Sequence, residues 1–455
     1  MAGNRDELRE RILGGSIIST ILWLAWPIVL ANIVNISYNL VDAFWLGKIG
    51  KEAFGAPTVS WPLIMLFHSL GMGFSGAGIA LISQYVGSNN FEMANKSASQ
   101  LVSFMLIMSS IIAIGGYISS PTILALMGVP HDVYPLAVSY IRIIFMGMPI
   151  VFMGFTFITI ANSLGDTRTP TVLNIASSIA NMILDPILIF GLFGLPPLGV
   201  VGAAIATVIS RSIISIVGTY LLLHGFRGIR LDYRYFRLEG WWICKVSSIG
   251  APLAIQRSST ALGFTIMMSI VSRFGSSALA AYGVSIRVID VLQAFTWGIN
   301  RATSIMVGQN LGAKLYERAR RVANVSTLLT ILTLTAGSLI ILLMRDWVIK
   351  VFIDNPEVVA EGVRLLTIFT PSIPFFGLFF MGGGIATGSG HTRFFALVSV
   401  IRLWVLRIGL SILLALILNL GTIGIWIAMT LSNIGAGTLS LLWITKASWA
   451  KRIID

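Results

Sequence analysis

Gly165-Asp166-Thr167-Arg168 returns later in the chain as Gly390-His391-Thr392-Arg393, at an offset of 225, and each copy follows a long apolar stretch. Other uncommon residues coincide at the same offset: Pro27 with Pro252, Gln84 with Gln309, Gly87 with Gly312 and Pro149 with Pro374. Self-similarity at a fixed offset indicates a duplicated structural unit. The chain is therefore predicted to fold as two related halves.

The composition places the chain in a membrane. Its 455 residues are 56% hydrophobic and 11% charged, whereas soluble domains carry about 25% charged residues, so a cytosolic enzyme is excluded. A helix needs about 20 mainly apolar residues to cross a bilayer. Twelve stretches meet this condition: 17–45, 54–82, 98–120, 134–162, 171–193, 199–224, 247–271, 279–305, 323–344, 360–388, 394–418 and 421–445.

Each half holds six spans, an even number, so the halves share one orientation and are related by an axis along the membrane normal. Transporters use this plan and bind substrate where the repeats meet. We predict an all-α integral membrane fold: twelve transmembrane helices in two parallel six-helix repeats, which form two lobes around a central cavity. Two fused bundles with a purely structural role are the alternative. The predicted segments are an interfacial N-terminal segment (1–16), the N-lobe (17–224), an inter-lobe linker (225–246), the C-lobe (247–445) and a C-terminal tail (446–455).

Lys and Arg concentrate on one side of the predicted membrane. With both termini inside, the inside segments carry eighteen of these residues and the outside loops carry five. Such an excess marks the cytoplasmic side, so we predict a multi-pass protein of the cell membrane with cytoplasmic N- and C-termini. The net charge of +13 then comes mostly from Lys and Arg that orient the protein among the membrane lipids. No nucleic-acid partner is needed to explain it. One copy contains both lobes, so a monomer is expected to function.

Two spans of the first half carry a polar stripe that ends in a carboxylate. In the first span the stripe occupies positions i, i+3, i+4 and i+7, which share one helical face: Asn35, Tyr38, Asn39 and Asp42. The fifth span repeats the arrangement with Asn174, Ser177, Ser178, Asn181 and Asp185. Stripes that face each other predict an oxygen-lined cage for a proton or a hard cation such as Na⁺, to which Thr207 in the sixth span can add a hydroxyl.

Charged groups at membrane depth are costly and by default mark function. We therefore expect Asp42 and Asp185 to bind the coupling ion and to share one proton near neutral pH. The competing interpretation is that they neutralise Arg142 and Arg211 of the same half. That interpretation explains the charges but not the stripes.

Pro27 lies fifteen residues before Asp42 and removes a backbone hydrogen bond to Trp23. We interpret it as a hinge through which ion binding at Asp42 changes the shape of the first span. A static kink is the alternative, since proline is tolerated in membrane helices.

The second half keeps the helical plan without the acids. At the offset of 225, Met267 corresponds to Asp42, and Leu410 corresponds to Asp185. The charges at membrane depth are mainly basic: Arg257, Arg287, Asp290, Arg301, Arg402 and Arg407. Pairing with other groups, reaching to lipid headgroups and contact with an anionic substrate are all open interpretations of these arginines.

These features resemble the multidrug and toxic compound extrusion (MATE) family over about residues 15–445. The resemblance rests on Gly-Asp-Thr-Arg-Thr-Pro at 165–170 and Val-Gly-Gln-Asn-Leu-Gly-Ala at 307–313. The first-span pattern from Pro27 to Asp42 and the fifth-span pattern from Asn181 to Pro186 resemble its DinF-like branch, which includes archaeal members. By that resemblance, the N-lobe cation site for H⁺ or Na⁺ consists of Asp42, Asn181, Asp185 and Thr207, with Tyr38 beside it and Pro27 at the kink.

The resemblance implies a cation-coupled antiporter that exports small amphipathic organic compounds, with cations as the expected class, by alternating access. It implies no enzyme activity and no cofactor beyond the coupling ion, H⁺ or Na⁺. The expected polar lining of the substrate cavity is Asn35, Asn39, Asn174, Ser177 and Ser178. A flippase for lipid-linked anionic oligosaccharides, from the same superfamily, is the alternative because it would use the arginines of the second half. An intramembrane enzyme would need a nucleophile–base pair or a metal-ligand cluster, which four histidines and one cysteine do not supply.

Overall fold

The structure is a computed structural model that describes residues 2–454, without the side chains of residues 2–5, 40 and 51. Met1 and Asp455, the outer ends of the predicted terminal segments, lie outside it. The long elements of this part of the chain are all helices. Those of the first half are α1 (Ala2–Gly14), α2 (Ile17–Ile49), α3 (Lys51–Gly87), α4 (Phe91–Leu126), α5 (Tyr134–Met146), α6 (Met148–Ser163), α7 (Arg168–Phe190) and α8 (Val200–His224).

The second half repeats the series after the linker. Its helices are α9 (Gly240–Ser272), α10 (Ser276–Gly312), α11 (Tyr316–Leu343), α12 (Arg345–Lys350), α13 (Pro356–Phe369), α14 (Ile373–Ser389), α15 (Thr392–Val400) and α16 (Gly421–Lys446). Two π-helical segments, Ile401–Gly409 and Ile412–Ile417, continue α15 to the end of the eleventh span.

The twelve predicted spans are present, but two depart from a plain apolar helix. Ten helices of the described residues are long and apolar enough to cross a membrane, and the pair α5–α6, bent by 47°, makes an eleventh span. The twelfth is α9, which has 33 residues and carries the polar run 256–260 in its middle. This run makes α9 less apolar than the other spans.

The two lobes are bridged by the first two helices. Buried Ile12 of α1 and buried Ile21 and Leu24 of α2 belong to the same apolar core as Ile305 and Ile385 of the C-lobe. Further along, α2 packs against α10, and α3 packs against α9 and α10. The N-terminal part of α2 is therefore held by the C-lobe, although its polar stripe belongs to the N-lobe.

The lobes touch most closely where α3 and α10 end. Gly87 faces Gln309, and Gly312 faces Gln84, so that a Cβ atom on either glycine would lie 2.0 Å from the backbone oxygen of the glutamine opposite. Only glycine allows this approach at both positions. Adding the repeat offset of 225 to Gly87 and Gln84 gives Gly312 and Gln309, so the two contacts are equivalent. We call these four residues, Gln84, Gly87, Gln309 and Gly312, the closed seam.

The glutamines of the closed seam are buried and bind across the lobes. Gln84 Nε2 donates to the backbone oxygens of Gly388 and Ser389 at 3.3 and 3.2 Å. Gln309 Nε2 donates to the backbone oxygen of Ser163 at 2.8 Å. Each glutamine thus binds the backbone just before the fifth span of the opposite lobe, which begins with α7 in the N-lobe and with α15 in the C-lobe.

Both ends of the described chain lie on the closed seam. Arg9 donates to the backbone oxygens of Val86 and Gly87 at 3.1 and 2.8 Å. At the other end, the backbone nitrogen of Ile453 donates to Gln84 Oε1 at 2.8 Å. The N-terminal helix and the C-terminal tail therefore fasten the same face of the protein.

Candidate cation site

The polar stripe of α7 faces the interior of the N-lobe. Ser177, Ser178 and Asn181 are buried, and Asp185 has no exposed surface. Because α7 packs along α2 and α8, this face looks onto the first and sixth spans. A carboxylate in such a place is costly unless it is protonated or has polar partners.

The carboxyl groups of Asp42 and Asp185 lie within hydrogen-bonding range of each other. Asn181 orients the second group: with its amide turned to satisfy both neighbours, the amide nitrogen donates to Asp185 Oδ2 at 3.0 Å, and the amide oxygen accepts from the backbone nitrogen of Thr207 at 3.3 Å. Asp42 Oδ1 is buried and has no hydrogen-bond partner among the described residues. The two carboxyl groups are therefore neighbours, and one oxygen of Asp42 is without a partner among the described residues.

Tyr38 and Thr207 complete this arrangement. The two side chains are neighbours, and Thr207 Oγ1 donates to the backbone oxygen of Ala203 at 3.0 Å. The Arg211 guanidinium lies over the Tyr38 ring, 5.5 Å from its centroid. The five residues predicted to bind the coupling ion thus meet between α2, α7 and α8. Their carboxyl and hydroxyl oxygens are the kind of ligand that hard cations prefer.

Direct ion pairs do not explain the two acids. Among the described side chains, the ion pairs within 4.0 Å involve neither Asp42 nor Asp185. Arg211 lies over Tyr38, and Arg142 lies over the Tyr117 ring, 4.9 Å from its centroid. The neutralisation of Asp42 and Asp185 by these arginines is therefore not supported by contact.

The residues predicted to line the substrate cavity lie in different environments. Asn39 is exposed, and Asn35 and Asn174 are half-buried. Ser177 donates to a backbone oxygen of α8 at 2.7 Å. By contrast, Asn35 Oδ1, Asn174 Oδ1 and Ser178 Oγ are buried without a hydrogen-bond partner in the described part of the chain. Unpaired buried polar atoms are uncommon in proteins, so three members of the two stripes have capacity for water or a ligand.

Tyr140 of α5 is a neighbour of the site that the sequence analysis did not predict. It is buried and lies close enough to Asp42, Tyr38 and Asp185 to be affected by their charges. The fourth span has no polar stripe that ends in an acid. Periodicity therefore gave no signal for this residue.

Pro27 lies inside α2, which runs from Ile17 to Ile49 as one helix. The residues around it contact the C-lobe: a Cβ atom on Gly298 of α10 would lie 2.6 Å from Val29 Cγ2 and 2.8 Å from the backbone oxygen of Ala25. The predicted hinge is therefore at a lobe contact, and Asp42 is on the N-lobe side of it.

The MatE family model matches the chain twice, over residues 27–187 and 252–413. The chain belongs to the MatE family. The two matches begin at positions 27 and 252, which differ by the offset of the repeat. The resemblance and the two-lobe fold predicted from the sequence are confirmed, and family and fold are those of membrane transporters. Membership of this MatE protein in the DinF-like branch stays a prediction.

Three similar proteins place the MatE chain among its relatives. "Probable multidrug resistance protein YoeA" of Bacillus subtilis (strain 168) is 29% identical over 412 residues, which is 88% of each chain. The "FAD transporter" of Shewanella oneidensis is 28% identical over 317 residues, 69% of each chain. A MOP superfamily transporter from Pyrococcus furiosus, for which reverse polarity of the binding pocket is described, has a TM-score of 0.89 at 21% identity, and the match covers 97% of this chain and 98% of that one.

Proposed function

We propose that this MatE protein exports amphipathic organic compounds in exchange for protons, or for sodium ions at the same site. The observation that carries the proposal is the carboxyl pair Asp42–Asp185 between α2 and α7, in which Asp185 is fully buried and is oriented by Asn181. A bundle with a purely structural role has no use for two acids at membrane depth. The names of relatives such as YoeA support a small-molecule drug as the cargo.

The mechanism that we infer is competition between ion and substrate. A cation bound at Asp42 and Asp185 removes the negative charge that attracts an organic cation, so the substrate leaves. Ion binding also changes the contacts of the C-terminal part of α2, and Pro27 lets this part bend against the part held by the C-lobe. A membrane potential contributes about 2.3 kcal/mol per charge per 100 mV, which is enough to bias a two-state equilibrium more than tenfold.

We propose that both termini lie in the cytoplasm. We also propose that the protein works as a monomer in the cell membrane. The distribution of Lys and Arg supports this orientation. The closed seam, to which Arg9 and the backbone of Ile453 bind, then blocks the cytoplasmic side. In this state the central cavity can exchange substrate only with the outside.

Transport by the purified protein in liposomes tests the carboxyl pair. We expect Asp42→Asn and Asp185→Asn each to abolish efflux driven by an imposed gradient, and a comparison of proton and sodium gradients identifies the coupling ion. Asp354→Asn, at an exposed position, is the matched control and should transport normally. If both variants of the pair transport like the control, the proposed site is wrong.

The same liposome assay tests the hinge at Pro27. We expect Pro27→Ala to slow the exchange of ion and substrate. An unchanged rate would mean that Pro27 makes a static kink.

The single cysteine tests the orientation. Cys244 is exposed and lies in the first turns of α9, within the predicted inter-lobe linker 225–246. We expect a membrane-impermeant maleimide to label it in inside-out vesicles and not in intact cells. The opposite result would reverse the proposed orientation and the side that the closed seam blocks.

A second candidate, export of an anionic substrate such as a lipid-linked oligosaccharide, is supported by the C-lobe. Arg402 and Arg407 lie at membrane depth, and among the described residues no carboxylate is within 4.0 Å of either. The reverse pocket polarity described for the Pyrococcus furiosus relative agrees with this possibility. Inhibition of efflux by lipid pyrophosphates rather than by organic cations would favour it.

A further inference from the structure

The C-lobe contains a pair of guanidinium groups that the carboxyl pair of the N-lobe does not use. Arg402 is buried, with 4% of its surface exposed, and Arg407 is half-buried. Both lie in the π-helical segment Ile401–Gly409. Residues five apart are about 140° apart around an α-helix, but a π-helix pairs residue i with i+5 and so brings them to one side. The π-helix therefore gathers two positive charges in one place.

The hydrogen-bond partners of this pair are neutral. Asn433 Oδ1 accepts from Arg407 Nη2 at 2.7 Å and from Arg402 Nη1 at 3.4 Å. Arg407 Nε donates to Ser432 Oγ at 3.0 Å. Asn433 Nδ2 in turn donates to Ser372 Oγ at 3.0 Å, which fixes the amide so that its oxygen faces the arginines. One amide oxygen is thus shared between two cations.

The charges of the pair are not compensated by these contacts. Arg402 Nε is buried and has no hydrogen-bond partner among the described residues, and the two guanidinium groups repel each other. The rings of Phe379 and Phe376 lie 4.5 and 5.4 Å from the Arg402 guanidinium, and such contacts contribute only about 0.5–2 kcal/mol. A buried charge that lacks a counterion is costly, so an anion placed here would be stabilised.

A series of aromatic rings leads away from the pair. Phe376 is 5.9 Å from Phe380 between ring centroids, and Phe380 is 4.9 Å from Trp297. Arg257 lies over Trp297, 6.0 Å from the ring centroid, and is close enough to Arg301 for their charges to interact. Arginines therefore stand at both ends of an aromatic surface formed by α10 and α14. Such a surface suits a compound that has both apolar rings and an acidic group.

We propose that Arg402, Arg407, Ser432 and Asn433 bind the acidic oxyanion group, phosphate or carboxylate, of an aromatic organic anion. The planar guanidinium groups match the geometry of both oxyanions, and the rings from Phe376 to Trp297 hold the apolar part. This inference deepens the second candidate function, export of an anionic substrate, by naming the class of anion, and it rests on that function only for the direction of transport. Binding itself requires no ion gradient.

Calorimetry on the purified full-length protein in detergent tests the site at fixed ionic strength. Phenyl phosphate, inorganic phosphate and phenyltrimethylammonium are the probes. We expect phenyl phosphate to bind, and Arg402→Gln or Arg407→Gln to weaken its binding roughly 30-fold or more. Arg287→Gln, at an exposed position of α10, is the matched control and should leave the affinity unchanged. Phenyltrimethylammonium should not displace phenyl phosphate.

A second variant keeps the test decisive if the arginine variants fold poorly. Asn433→Asp places a carboxylate beside both guanidinium groups, and Ser372 can rotate its hydroxyl to donate to it. We expect this variant to melt at a higher temperature and to lose phenyl phosphate binding. If phenyl phosphate binds the wild type no better than it binds Asn433→Asp and Arg402→Gln, the proposal is overturned.

The probes also separate the two sources of an oxyanion and the two functional claims. Tighter binding of phenyl phosphate than of inorganic phosphate supports an organic anion, whereas equal affinities would assign the site to a free inorganic anion. Asp42→Asn and Asp185→Asn should keep phenyl phosphate binding while they lose efflux. Efflux with no oxyanion binding would overturn this inference alone, and oxyanion binding with efflux unaffected by the aspartate variants would overturn the proposed coupling site alone.

Discussion

Asp185 and Arg407 both lie in the penultimate span of their lobe, and the last helix of the lobe completes both sites. In the N-lobe, Asn181 joins Asp185 to the backbone of Thr207 in α8. In the C-lobe, Arg407 bonds directly to Asn433 in α16. A carboxyl pair therefore occupies one lobe where a guanidinium pair occupies the other.

The last helices show how closely the two places correspond. Arg211 and Asn433 differ by an offset of 222 in the sequence, close to that of the repeat, and each residue contacts the polar cluster of its own lobe. The comparison teaches that the duplicated backbone determines where polar groups gather but not the sign of their charge. Small and apolar residues set the helix packing, whereas a few side chains at the site set the chemistry.

Copying the C-lobe residues into the N-lobe should have the largest effect. Asp42→Met combined with Asp185→Leu gives the N-lobe the residues found 225 positions later, Met267 and Leu410. We expect gradient-driven efflux to fall to the level of liposomes without protein. Replacing buried ionic groups with apolar ones is often neutral or stabilising by about 1–4 kcal/mol, so the melting temperature should not fall. If the double variant kept the wild-type melting temperature and still showed gradient-driven efflux, Asp42 and Asp185 would have no role in coupling.

Valine in place of either glycine of the closed seam tests the part that the lobes share. Because a Cβ atom at Gly87 or Gly312 would meet backbone at 2.0 Å, each variant should destabilise the closed state by about 1–3 kcal/mol. Pulsed EPR between spin labels at Ser88 and Lys314 should show a longer distance, and the two variants should behave alike. Gly115→Val is the control, since a Cβ atom there meets nothing within 4 Å. An unchanged distance in both seam variants would mean that this contact does not hold the lobes together.

The smallest effect is expected at the linker, where no counterpart in the other lobe exists. Lys96 Nζ lies 2.8 Å from Glu239 Oε1. The hydrogen bond from Lys96 and, to a smaller extent, the hydrogen bond from Trp241 hold the pKa of the Glu239 carboxyl below its usual value. A depressed pKa stabilises the fold above the ordinary carboxyl pKa, and the contribution is lost as the pH falls through the folded value. Glu239→Gln should therefore cost less than about 1 kcal/mol at pH 7, since the pair is partly exposed, and less again at pH 3. A thermal melt with the same deficit at both pH values would contradict this assignment.

The sequence predicted the features that depend on periodicity. Twelve spans, two lobes and the meeting of Asp42 with Asp185 followed from apolar length, from the repeat and from α-helical spacing. The five residues predicted for the coupling ion lie together because α2 and α7 are regular α-helices along their polar stripes.

The features that were missed depend on departures from regular helices or on tertiary contact. Arg402 and Arg407 are five apart, a spacing that separates them on an α-helix, and only the π-helix brings them together. Tyr140 reaches the site from a span that is bent by 47°. Gly147 and Pro149 mark the bend, but no polar stripe in that span indicates the contact of Tyr140 with the site. Gln84 coincides with Gln309 in the repeat, yet their bonds to the opposite lobe depend on how the lobes dock.

The bond between Gln84 and the backbone of Ile453 joins residues that are 369 positions apart. At about 5–20 residues per second, a ribosome needs roughly 20–75 s to synthesise the chain between them. During this interval α3 is complete while the partner of its glutamine does not yet exist. The N-lobe helices therefore enter the membrane and pack before the seam can close. The bond between Gln84 and Ile453 therefore joins two bundles that were both made before it could form.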